Sequence, residues 1–225
     1  MFPNLEYIIS VFCEKANKIT HEYWYKQIRK DWICKPAEEI IKQMPKKEQE
    51  KLKTKFGNII PENQAEWKEE YDDQFLELMV EIFGFGYLVE KGFKPIFNNT
   101  PDLISTEACM ECKSIRYSLD EQKYLKLVYA EPHEPVAKAL RTDLHLFNES
   151  NPLYSKLLDT ISRAKKQCEA QGRNKQYIYI NMNFDTDAFV NKTKVVENLL
   201  NPLKKNDDNF EIIFIENFDP TLTLE

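Results

Sequence analysis

Two acids and a lysine bracket a tight turn in this chain, and the spacing between them restricts how the surrounding stretch can pair. Asp102-Leu103-Ile104-Ser105 reads as one strand, Thr106-Glu107 as the turn, and Ala108 to Ile115 as the returning strand. Side chains alternate along a strand, so Glu111 and Lys113 share one face while Met110, Cys112 and Ser114 share the other. With Ser105 facing Ala108, Asp102 falls opposite Glu111, where opposed Cβ atoms are about 4.5–5.5 Å apart. Carboxylates that close repel unless a cation lies between them, and a hard divalent ion with oxygen ligands suits the pair. Lys113 lies one step along the same face.

The flanking segments carry clear periodicities. Between about Glu66 and Glu90, apolar residues fall at Phe75, Leu78, Met79, Ile82, Phe83, Phe85 and Val89, which predicts a helix with one buried stripe. Glu81 lies roughly 110° from the centre of that stripe, at its border, and Glu77 lies roughly 150° away, on the solvated side. Gly86 is on the apolar side, where it would permit close approach of helix to sheet. Further on, Leu157, Leu158, Ile161, Ala164 and Cys168 predict a helix from Tyr154 to Gln171. Gln176 to Met182 and Phe210 to Ile215 are rich in β-branched and aromatic residues and read as strands. Helix, hairpin, helix, strand and strand in that order imply an α/β domain, a mixed sheet with helices on its faces.

Pro101-Asp102 together with Glu111-Cys112-Lys113 resembles the signature of the PD-(D/E)XK, or restriction-endonuclease-like, nuclease superfamily. Members carry a helix ahead of the motif with a glutamate about eleven residues before a glycine, then an aromatic leading into the first strand. Glu81 stands at that distance from Gly92-Phe93. The resemblance implies a restriction-endonuclease-like mixed sheet over residues 66–225, with residues 1–65 as an N-terminal helical extension. It implies a Mg²⁺- or Mn²⁺-dependent endonuclease that hydrolyses phosphodiester bonds, in DNA rather than RNA, of the restriction, repair or mobile-element defence type. Asp102, Glu111, Glu81 and the backbone carbonyl of Cys112 would hold the metal, and Lys113 would serve the reacting water and the transition state. The helix after the motif typically borders the site, so Arg163, Lys165, Lys166 and Gln167 would contact nucleic acid. A silent nuclease-like module that binds nucleic acid or protein, and an RNA-cutting relative in which His21 would precede the motif, are the alternatives.

The remaining composition sets limits. A net charge of −6 and a pI near 5.3 do not mark the whole chain as a nucleic-acid binder, but phosphate contact depends on where cations lie rather than on their sum. A homodimer or a partner subunit would be one source of added grip. No run of about 18 apolar residues occurs and the first residues lack a signal-peptide pattern, so a cytoplasmic protein without membrane contact is expected. The cysteines at 13, 34, 109, 112 and 168 are odd in number and scattered, which speaks against a disulfide framework. Cys109 and Cys112 form a lone CxxC inside a strand, where the thiols would point to opposite faces. His21, His133 and His145 show no metal-ligand spacing. Residues 1–65 read as helices broken at Pro36, Pro45 and Pro61, with Tyr23-Trp24-Tyr25 and Trp32 packing them. The lysines at 42, 46, 47, 51, 53 and 55 read as a solvated face, with a DNA-contacting arm as the alternative.

Overall fold

The computed structural model describes residues 2–19, 31–68, 70–115, 152–182, 201, 203, 210–216 and 219–223. In chain order the elements are α1 (Pro3–Lys18), α2 (Asp31–Gln43), α3 (Lys46–Asn58), α4 (Glu70–Glu90), β1 (Ile96–Phe97), β2 (Leu103–Ile104), β3 (Ala108–Ile115), α5 (Pro152–Glu169), β4 (Lys175–Met182), β5 (Phe210–Glu216) and β6 (Asp219–Thr223). The strands make one six-stranded mixed sheet in sequential order. Pairing is antiparallel from β1 to β3, parallel from β3 through β5, and antiparallel again at β6. This is an α/β architecture with helices on both faces of the sheet. Two strands had no sequence signal of their own: β1 has only two residues, and β6 runs through Asp219-Pro220.

Strand alternation divides the core in two. Met110 and Cys112 of β3, Tyr177 and Tyr179 of β4, and Ile213 and Ile215 of β5 face α4 and the N-terminal helices. Cys109 and Ile115, Ile178 and Ile180, and Ile212 and Phe214 face α5. The thiols of the CxxC do point to opposite faces, and among the described residues all five cysteines are free. The first core runs without interruption from Leu5 to Ile215, so apolar packing is continuous across residue 65.

The helix α4 departs from the single stripe that its spacing predicts. It begins at Glu70 rather than near Glu66, and from Leu78 to Gly86 every residue is buried. The reason is its central place: the sheet lies on one side and α2 and α3 lie on others. Gly84, not Gly86, permits the close approach to the sheet. A Cβ at Gly84 would sit 2.6 Å from Cys112 Sγ and 2.8 Å from Met110 Sδ, whereas one at Gly86 would meet Ile40 of α2 at 2.7 Å. The helix stops at Gly92, whose φ of +86° closes a Schellman turn through Phe93 N–H to Leu88 C=O at 2.9 Å and Gly92 N–H to Val89 C=O at 2.9 Å.

The three N-terminal helices cap one another in a cycle. The start of α1 has no side-chain cap of its own, and Glu38 of α2 accepts the Asn4 and Leu5 N–H groups at 3.2 and 2.8 Å. Gln49 of α3 donates to the Ile41 and Met44 carbonyls at the end of α2, at 3.0 and 3.1 Å. Lys15 of α1 donates to the Gly57 and Ile60 carbonyls at the end of α3, at 2.7 and 2.9 Å. Each helix end would otherwise carry unpaired backbone groups inside the protein. Pro45 precedes α3 and Pro61 follows it, as expected, but Pro36 lies within α2 and does not break it. Burial of Cys34, Ala37 and Ile41 on the same helix offsets the hydrogen bond that proline removes. Tyr23-Trp24-Tyr25, the Trp32 side chain and the three histidines lie outside the described residues.

Gly84→Ala is expected to destabilise the fold by about 1–3 kcal/mol through overpacking against Cys112 and Met110. Helix propensity alone would favour alanine by about 1 kcal/mol. A urea midpoint that rises in the variant would show that α4 does not rest directly on β3.

Candidate active site

The hairpin forms in the register that the turn implies. Leu103 pairs with Met110 and Ile104 with Cys109, which carries Asp102 opposite Glu111 one step further. Ser105 closes the turn: its N–H donates to the Ala108 carbonyl at 2.7 Å, and its Oγ accepts the Ala108 N–H at 2.9 Å. The first strand is shorter than its sequence suggests, since regular pairing stops at Leu103. Beyond that point the Asp102 side chain takes over, Oδ2 accepting the Cys112 N–H at 2.8 Å. The Asp102 N–H in turn donates to Glu111 Oε2 at 3.2 Å.

Lys113 ties the two acids together. Its Nζ lies 2.6 Å from Glu111 Oε1 and 3.7 Å from Asp102 Oδ2. Glu111 is 1% exposed and Asp102 8%, so this is a buried polar cluster. Burial alone would lower the pKa of the Lys113 ammonium, but Asp102, Glu111 and Glu77 together hold it above its usual value. The lysine is therefore a firmly charged ammonium here.

Glu81 reaches the same place from α4. It is buried at 6% exposure rather than at the border of the apolar stripe, because α4 is covered on all sides at that level. Its Oε2 accepts a hydrogen bond from Lys55 Nζ of α3 at 2.5 Å. Despite that partner its pKa is pushed up to about 8, since burial and the Asp102 charge outweigh the pull of Lys55. Glu111 is raised for the same two reasons in the face of its bond to Lys113. Glu77, one turn before Glu81, is exposed by area, yet its carboxyl feels both Lys113 and Asp102 and is raised chiefly by burial. The acids thus crowd beyond what Lys55 and Lys113 balance.

The structure brings together Asp102, Glu111, Lys113, Glu81 and the main chain of Cys112. The basic residues on α5 divide. Arg163 and Gln167 share a helical side with Lys156. Gln171 donates to the carbonyl of Thr100, just before Pro101, at 3.3 Å. Arg163 itself is exposed and paired with Asp159. Lys165 turns the other way, its ammonium 5.4 Å from the Phe210 ring centroid at the start of β5, and Lys166 is exposed. The cation of α5 whose charge reaches the cluster is Lys156, through Glu77. Lys55, Glu77 and Lys156 were not legible as site residues. The first lies in a helix that packs there only in three dimensions, and the other two sit on faces that periodicity marks as solvated. Comparison with protein-family models, with curated proteins and with solved structures finds no match to this chain.

A carboxyl with a raised pKa stabilises the fold below its unfolded value of about 4.3 and loses that contribution as pH climbs through its folded value. In chelator, stability should therefore fall between pH 5 and 9, and Glu81→Gln should make the fall less steep. Urea midpoints across that range measure it. Parallel profiles for the two proteins would mean that Glu81 is not a strained acid.

Proposed function

We propose that this protein is a metal-dependent endonuclease of the restriction-endonuclease-like type, hydrolysing phosphodiester bonds, with DNA favoured over RNA on the strength of the motif resemblance. The observation that carries the reading is the single ammonium of Lys113 shared by the opposed carboxylates of Asp102 and Glu111. Among the described residues no three acid, histidine or cysteine side chains form a ready metal cage. The donor chemistry nevertheless fits Mg²⁺ or Mn²⁺: every candidate ligand is a hard oxygen, and the raised acids show a local deficit of positive charge. Asp102, Glu111 and the Cys112 carbonyl would hold the ion, with Glu81 completing the set. Such an ion supplies a water of lowered pKa and offsets charge on the phosphate oxygens.

This chain's own residues would do the rest. The Cys112 N–H holds the Asp102 carboxylate in a fixed orientation, so that an oxygen faces the cluster without reorganisation. Lys113, held as an ammonium, suits stabilisation of the charged transition state better than proton abstraction. Glu77, beside Lys113, binds a proton more tightly than a free carboxyl and suits the uptake of one. A second reading, a silent binding module, is favoured by the same ammonium, which already spans the carboxylates and would have to yield to a metal.

Purified protein on plasmid, single-stranded DNA and RNA, with Mg²⁺, Mn²⁺ or chelator, tests the proposal directly. Metal-dependent cleavage is expected, and Lys113→Ala should lower turnover by at least about 100-fold while leaving metal binding largely intact. Asp102→Asn should abolish the Mg²⁺ heat seen by calorimetry. Absence of cleavage under every condition would favour the binding module.

A further inference from the structure

One stripe of α3, formed by Glu48, Lys51 and Lys55 at helical spacing, reaches both of the segments that bring Asp102 and Glu81 to the cluster. Glu48 and Lys51 grip the last residue of β1. Glu48 accepts the Phe97 N–H at 2.8 Å, Lys51 donates to the Phe97 carbonyl at 3.2 Å, and the two side chains are paired at 3.1 Å. The next residue, Asn98, holds the loop that leads to Asp102. Its N–H donates to the Asp102 carbonyl at 2.9 Å, and its side-chain amide donates to the Thr100 and Pro101 carbonyls at 3.0 and 3.1 Å. Lys55 goes directly to α4, where its Nζ lies 2.5 Å from Glu81 Oε2. These are not surface pairs. The Glu48 and Glu81 side chains are 4% and 8% exposed, whereas the partners of the Lys46–Glu50 pair on the same helix are 69% and 50% exposed.

We propose that Lys55 is a positioning residue for Glu81 as a metal ligand, an inference that rests on the endonuclease reading for the metal. A buried carboxylate bonded through one oxygen to an ammonium on a fixed helix is held in one orientation, and outer partners of this kind orient the ligands of metal sites. With Oε2 engaged by Lys55, Oε1 is the oxygen left to serve as a donor. Lys113 is the ammonium that spans Asp102 and Glu111, whereas Lys55 comes to Glu81 from α3. The helix itself is fixed: Lys15 bonds the carbonyls at its end, and Glu48 and Lys51 tie its middle to β1. The same helix thus sets Asp102 through β1 and Glu81 through Lys55, which makes the N-terminal helices part of the site rather than an addition to it.

The test is calorimetry of the full chain with Mn²⁺ alone, without nucleic acid. Lys55→Met keeps the apolar stem and removes the ammonium, and it should weaken Mn²⁺ binding by about tenfold, to the level of Glu81→Gln. In the Glu81→Gln background the same change should have no further effect. Lys55→Arg, which can still donate to the carboxylate, should restore binding to within about threefold of wild type. Lys46→Met removes an equal charge from the exposed end of α3 and should leave affinity unchanged. Lys55→Gln replaces the methionine variant, with the same expectation, if that variant does not fold. Unchanged Mn²⁺ binding in Lys55→Met, with only a lower urea midpoint, would make Lys55 structural and overturn the proposal. Tighter binding would overturn it too, because Lys55 would then compete with the metal for Glu81. An additive loss in the double variant, or wild-type binding by Glu81→Gln, also overturns it and leaves Asp102 and Glu111 as ligands, so that the endonuclease reading stands. No Mn²⁺ binding by the wild-type protein sinks that reading and the positioning role with it.

Discussion

The burial of α4 between the sheet and the N-terminal helices is the constraint on which the rest depends. Gly84 carries no side chain, and this lets α4 rest on Cys112 and Met110 of β3. One turn earlier, Glu81 is thereby brought to Asp102, and on a further side of the same helix α2 and α3 close over Gly86 and Glu81. A larger residue at position 84 would lift the helix and separate Glu81 from the hairpin. The cyclic capping of α1, α2 and α3 serves the same arrangement, since it fixes the helix that delivers Lys55.

The polar cluster is paired, but incompletely. Lys113 and Lys55 each satisfy an acid, yet Glu81, Glu111 and Glu77 all bind protons more tightly than free carboxyls do. Removing acids from water without full compensation is costly, and proteins tolerate it where function requires the charge. Glu38, Glu48 and Gln49 are also buried, but each bonds backbone groups at a helix or strand end, and the two acids are further paired with Asn4 and Lys51. That contrast separates the structural acids of this protein from the crowded ones at the hairpin.

Much of the hairpin was legible before any fold was known. Local turn chemistry at Ser105 and the two-residue alternation of strands suffice to oppose Asp102 and Glu111 and to put Lys113 on their face. The α5 stripe was legible too, apart from Leu158, which is 40% exposed, because a surface helix with one buried side announces it by spacing. The same logic fails for α4. A helix covered on all sides has no stripe to read, so Glu81 was placed at a border it does not occupy and Gly86 was given the contact that Gly84 makes.

What the sequence by itself determined is therefore local: four of the six strands, the turn, the register of the hairpin and the three charged residues that share its face. Each follows from neighbours a few positions apart, whose geometry is set by backbone periodicity. Only the tertiary structure decided which distant groups meet there. Lys55 finds Glu81 across 26 residues, Lys156 bears on Glu77 from the far side of the sheet, and Lys165 turns away towards β5. Those meetings are set by how whole layers pack, and side-chain spacing along a single element carries no information about the layer it will face.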